Sequence, residues 1–137
     1  TGASIYNQLS NSTNVHTIRE SLSATTCIPY DAEKSYNGEG TTSTVNWNPN
    51  DTLTENWTHP AWTGLAHELV HSLDADTGTR DPAIDPATNI KKNEIKACTE
   101  TNRMLLENDP NAVTRKQYGY ENLPPDAVNP TPRPKPE

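Results

Sequence analysis

Apolar positions are sparse along this chain, and where they recur they follow two different periods. Between 62 and 73, Trp62, Leu65, Ala66, Leu69, Val70 and Leu73 return every three or four positions, the period of a helix with one packing face. The pattern predicts a helix over about 60–76, with Thr58 as cap, Pro60 in the first turn and Gly78 as stop. A second helical stretch is expected over about 90–108. Ile90, Ala97, Cys98, Thr101 and Leu105 share one side of it, and Lys92, Lys96, Glu100 and Arg103 the other. Thr88 or Asn89 is its candidate cap, and Pro110 ends it. Upstream the period falls to two. Val15-His16-Thr17-Ile18 alternates as a short strand does, with His16 expected to face solvent, and the β-forming residues of 41–47 predict another strand. Tyr36-Asn37-Gly38-Glu39-Gly40 reads as a turn before it, and Asn48-Pro49-Asn50-Asp51 closes it. Together these pieces suggest a hairpin or small sheet. Residues 1–26 are otherwise polar, and the Pro-rich stretch 124–137 is expected to be extended, a tail or linker.

Composition narrows this picture. The 137 residues suffice for one domain, but only 31% are apolar, with no Phe, 12 Pro and 6 Gly, so the core must be small and irregular segments long. A bound metal would suit such a chain. The formal net charge of −7 argues against nucleic acid and against an anionic membrane surface as partners. The two cysteines, Cys27 and Cys98, form no CxxC pair, and a free buried thiol is expected at Cys98. No apolar run is long enough for a membrane span or a signal peptide. A start at Thr1 without Met is expected of an excised domain or mature product.

The first helix carries chemistry on the side away from its apolar stripe. At about 100° per residue, His71 falls about 40° from His67, so both imidazoles point one way and Glu68 lies at the edge of their face. His67-Glu68-Leu69-Val70-His71 thus has the spacing of a zinc-binding pair with a general base between its members. Zn²⁺ is the expected cofactor, with Glu68 taking the proton of an attacking water. A catalytic zinc needs a third protein ligand. Glu94 sits in the middle of the buried side of the second helix, where a lone carboxylate is costly unless paired or metal-bound. Asp74 shares the histidine face and is a candidate to orient a histidine; Asp76 reads as a surface residue at the helix end, with a third-ligand role as the rival. His59 reads as an exposed loop histidine that could line a cleft. Arg115 and Tyr118, three residues apart, could both face that cleft and stabilise an oxyanion.

At these residues a resemblance emerges. The His67–His71 motif followed by Glu94 resembles the glutamate-zincin pattern. More narrowly, the chain resembles the NleD-like metalloprotease effectors and toxins of bacteria. The match is carried by residues 38–49, residues 60–71, Asn93-Glu94-Ile95-Lys96-Ala97 with Thr101-Asn102-Arg103, and Arg115 with Tyr118-Gly119. The zinc site is also similar to that of clostridial neurotoxin light chains, whose Arg-x-x-Tyr pair Arg115 and Tyr118 match. The resemblance implies an α+β, minimal zincin-like fold. A small sheet or hairpin would pack on the active-site helix and a second ligand-bearing helix. Residues 1–122 would form the domain and 123–137 the Pro-rich tail. It implies a zinc endopeptidase with metal ligands His67, His71 and Glu94 and catalytic residues Glu68, Tyr118 and Arg115. The enzyme would be secreted or delivered into a target cell and act as a monomer on a protein substrate of a host or competitor, with a cognate immunity protein as a further partner. The competing reading is a non-enzymatic effector or adaptor whose zinc is structural, with a fourth ligand from Asp74, His59 or Cys98.

Overall fold

The computed structural model describes residues 1–134. Four helices and nine short strands follow one another as α1 (Gly2–Ser10), β1 (His16–Glu20), β2 (Thr26–Pro29), β3 (Ser43–Trp47), β4 (Leu53–Thr54), β5 (Trp57–Thr58), α2 (Trp62–Thr77), β6 (Ile84–Asp85), β7 (Ile90–Lys91), α3 (Lys92–Asn108), β8 (Gln117–Tyr118), β9 (Glu121–Asn122) and α4 (Pro125–Val128). The fold is α+β, as expected. Among the described residues no helix is long and apolar enough to cross a membrane.

The small sheet exists, with the order β1-β3-β2. Strand β3 lies in the middle, parallel to β1 and antiparallel to β2, with Val45 opposite both Ile18 and Cys27. Side chains alternate across a strand, so Ser43, Val45 and Trp47 share the face that meets α2. Val45 is fully buried there, and the Trp47 indole N–H donates to the Ala61 carbonyl at the start of α2 (3.1 Å).

Helix α2 starts later than its pattern suggested. Thr58 is paired in β5, Ala61 is the cap residue, and no side chain caps it; instead the Thr63 hydroxyl donates to the Pro60 carbonyl (2.7 Å). Its end is as expected. Gly78 takes the left-handed conformation (φ 69°) and its N–H returns to the Ala75 and Asp74 carbonyls. Helix α3 likewise begins two residues late. Ile90 and Lys91 pair with β6 in a hairpin, and Asn89, the expected cap, occupies a left-handed turn position (φ 60°) that asparagine tolerates.

Two stretches differ from their sequence reading. The polar N-terminus forms α1, because Ile5 and Leu9, four apart, reach Val70, Leu73, Ala97 and Met104 across α2 and α3. The Pro-rich stretch is not simply extended. Leu123 and Ala127 are buried with Ile90 and Cys98, and α4 packs on α3. Here apolar spacing overrides proline content, since Pro125 opens a single helical turn without loss. The last three residues of the expected tail, 135–137, lie outside the described residues. Helix α3 therefore has a core cluster on each side, which holds its first turn rigidly against α2.

Candidate metal centre

His67 and His71 project from the middle of α2 toward the first turn of α3, where Glu94 meets them. His67 Nε2 lies 3.0 Å from Glu94 Oε2, His71 Nε2 lies 3.1 Å from Glu94 Oε1, and the two imidazole nitrogens are 3.2 Å apart. Ligand atoms about 2.1 Å from one tetrahedral centre stand roughly 3.4 Å apart, and one ligand atom from each of His67, His71 and Glu94 all lie within 4.8 Å of one another, so one ion can be shared among them. The donor set, two neutral nitrogens and a carboxylate, is that of a zinc-type site with an open fourth position. The fit has a second support. Two imidazole nitrogens turned toward each other at this distance leave at most one proton between them, and a shared cation relieves that conflict. His67, His71 and Glu94 form the one His/Cys/Asp/Glu group with metal-binding spacing among the described residues.

The electrostatics follow from burial and proximity. Burial pushes the His67 imidazole below its ordinary range against the pull of Glu94. Burial disfavours the charged form of His71 too, but there the Glu94 carboxylate prevails and raises it. Glu94 resists burial through its bonds to both histidines, which hold its carboxyl well below the usual range. Glu68 lines the same cavity, of about 410 Å³, without ligand geometry. Burial pushes its carboxyl up to about 7, with His71 opposing, so it is placed to exchange a proton near neutral pH.

Tyr118 and Arg115 enter from the opposite wall. The Tyr118 ring is parallel to His67, with centroids 6.5 Å apart, and the Arg115 guanidinium lies 5.0 Å over the same tyrosine ring. Burial and the nearby negative charge of Glu94 push the Tyr118 hydroxyl up, so it stays a hydrogen-bond donor at any working pH. Arg115 is fixed by three groups that sequence reasoning did not single out. Its Nε donates to the Gln117 carbonyl (2.8 Å) and its Nη2 to Glu55 Oε1 (3.4 Å). Asn102, fully buried, accepts from the Arg115 N–H (2.8 Å) and donates to its carbonyl (2.9 Å). Glu55 also accepts the Gly119 N–H (2.6 Å), which ties the β4–β5 turn to the β8–β9 turn that carries Tyr118. Leu53-Thr54 and Trp57-Thr58 around Glu55-Asn56 were an available hairpin signal for the first turn, whereas Gln117-Tyr118 and Glu121-Asn122 carry none beyond Gly119.

Several expectations fail. His59 is not an exposed loop histidine but 5% exposed, stacked on Trp57 (4.3 Å) and bonded to Thr63 and Thr54, though it does line the cavity. Asp74, 1% exposed, orients no histidine; it pairs with Lys96 and Thr79, because the long lysine stem returns from the outer side of α3. Asp76 is no idle surface residue and no ligand, and His16 does not face solvent. His16 Nε2 lies 2.8 Å from Asp76, which also receives Ser12 and Asn14, and His16 Nδ1 lies 2.7 Å from Ser43 Oγ. Asp76-His16-Ser43 has the connectivity of a serine-hydrolase triad. Ser43 is nevertheless 4% exposed, bonds onward to Ser72 (2.8 Å) and does not line the cavity, so the chain of bonds is a structural tie. Cys27 and Cys98 are both free thiols, and burial pushes Cys98 up to about 12.

No curated protein and no solved structure matches this chain. The model of a peptidase family, M91, described as effector protein, matches residues 1–124 and so extends the likeness beyond 36–120, where the recognisable motifs lie.

Proposed function

The chain belongs to the M91 peptidase family of effector proteins, and from that premise we propose that it is a zinc-dependent endopeptidase, delivered into another cell, that cuts a protein of that cell. The observation that carries the reading is the triangle of His67, His71 and Glu94 beside Glu68 in a cavity that opens to solvent. Zinc held there supplies Lewis acidity toward water and toward the scissile carbonyl.

The rest of the chemistry belongs to the chain's own side chains. Glu68 takes the proton of the attacking water and delivers it to the leaving amine. The Tyr118 hydroxyl donates to the oxygen that gains charge, and Arg115, stacked on that ring, adds a positive field and holds the ring in place. His67 and His71 both turn their Nε2 atoms to Glu94, so the three residues present one ligand set. An adaptor with a structural zinc would need a fourth protein ligand. Asp74 pairs with Lys96 and does not line the cavity, and His59 is bonded to threonines, while Cys98 Sγ lies 4.0 Å from His67 Nδ1, the nitrogen on the far side of the ring. These pairings favour the enzyme.

Glu68→Gln tests the reading. The variant should keep one zinc per chain by elemental analysis and lose cleavage on the order of 10²–10⁴-fold. Undiminished cleavage by a zinc-replete Glu68→Gln protein rules out this base. A wild-type chain that binds no zinc rules out the centre.

A further inference from the structure

One end of the cavity is built from residues that neither hold the ion nor belong to the opposite wall. Arg80 lies just past the Gly78 stop of α2, and its N–H donates to the Ser35 carbonyl (3.0 Å). The next residue, Asp81, accepts the Asn93 N–H (2.9 Å), so the 80–81 segment is fixed alongside the first turn of α3. Arg80, Asn93 and Ala75 line the cavity with His71 and Glu94.

Neither side chain is satisfied. Asn93 is 3% exposed and its Oδ1 has no partner, an arrangement that is costly in a folded protein. The Arg80 side chain has no ion-pair or hydrogen-bond partner among the described residues. The other cation of the cavity, Arg115, is committed to Gln117 and Glu55. The remaining charged side chains of the lining, Asp51, Glu68 and Glu94, are acidic and repel an anion, so away from the metal position a negative side chain meets Arg80.

Resting on the endopeptidase reading, we infer that the Arg80–Asn93 end of the cavity is a specificity subsite for an acidic side chain, Asp or Glu, of the protein substrate. The Arg80 guanidinium takes the carboxylate through charge-assisted hydrogen bonds. The Asn93 amide, which lines the same end of the cavity, supplies a further N–H donor. Because Asn93 is adjacent to Glu94 in α3, docking the acidic residue sets the register of the peptide over the ion and so selects the bond that is cut.

The test is terminal-labelling proteomics on a cell lysate treated with zinc-loaded wild type, Arg80→Gln, Arg80→Glu or Glu68→Gln, each checked for folding by its unfolding midpoint. Wild type should generate new termini with Asp or Glu enriched at one fixed position within about three residues of the cut, the reach of a short extended segment. Arg80→Gln should cut those sites on the order of tenfold less. Arg80→Glu should turn the preference toward Lys or Arg; if it does not fold, Arg80→Gln alone decides. Glu68-dependent termini without an acidic preference, or a preference unchanged in the Arg80 variants, overturn the subsite and leave the endopeptidase standing. Absence of any Glu68-dependent terminus overturns both.

Discussion

A tyrosine hydroxyl and the guanidinium stacked on it can be separated by what each substitution leaves behind. Tyr118→Phe keeps the ring that lies parallel to His67 and under Arg115, and removes only the donor. Turnover should fall on the order of 10²–10³-fold with KM and zinc content nearly unchanged, as measured by steady-state kinetics on a cleaved protein. Unchanged turnover in Tyr118→Phe would mean that the hydroxyl stabilises no charge in the transition state. The same residues show what a sequence reveals. His67, His71 and Glu94 were legible because helical geometry alone turns the first two one way and puts a carboxylate on an apolar stripe. His59 and His16 were misread because the partners that bury them are not local: His16 meets Asp76, 60 residues away, through the sheet and the end of α2. Glu55 was missed for the same reason, and Asn102 was read in the matched motif without a role, since each acts on Arg115 from a different element.

At the scale of elements, the end of α2 is where the sheet, the N-terminal segment and the ligand helix are joined. Thr41 N–H donates to the Ala75 carbonyl (2.8 Å) and Gly38 N–H to the Gly78 carbonyl (2.9 Å), so the loop before β3 runs directly against the helix. Gly40 has φ 85°, and a Cβ there would collide with the Asp76 carbonyl. Gly40→Ala should therefore destabilise the domain by about 2–4 kcal/mol in urea unfolding, through strain and collision together. On the other side Asp76 fastens the start of β1. Burial opposes its charge, but the bonds from Ser12, His16 and Asn14 prevail and hold its carboxyl below the ordinary range. A depressed native pKa contributes stability that is fully present above the unfolded value of about 3.9 and is lost as pH falls through the native value. Wild type should thus be more stable than Asp76→Asn at pH 7, and the gap should close below about pH 4. A gap that is the same at both pH values would remove the carboxylate from this joint. Periodicity showed α2 and the body of α3; the shift of the α3 start to Lys92 was hidden because Ile90 serves a hairpin as well as it would serve a helix.

The whole molecule has two small core clusters, one on each side of α3, and the three donor atoms lie where α2 and α3 meet. Without a cation this junction confines two imidazoles and a carboxylate, of which only one imidazole and the carboxylate form a favourable charged pair. An ion that binds the folded chain and not the unfolded one stabilises it by RT ln(1 + [L]/Kd), about 4 kcal/mol when free zinc stands at 1,000 times Kd. In a domain of this size that corresponds to a rise in unfolding midpoint of roughly 10–25 °C. Stripping the chain with a chelator should lower the midpoint by that order, and added zinc should restore it. His71→Ala should unfold at one temperature in either condition, because the triangle has lost a corner. Glu68→Gln should follow wild type in both, because Glu68 is not among the three residues with metal-binding spacing. Chelator sensitivity that survives in His71→Ala would move the metal to other residues, while a wild type indifferent to chelation would leave the packing of α2 on α3 to hold the junction alone.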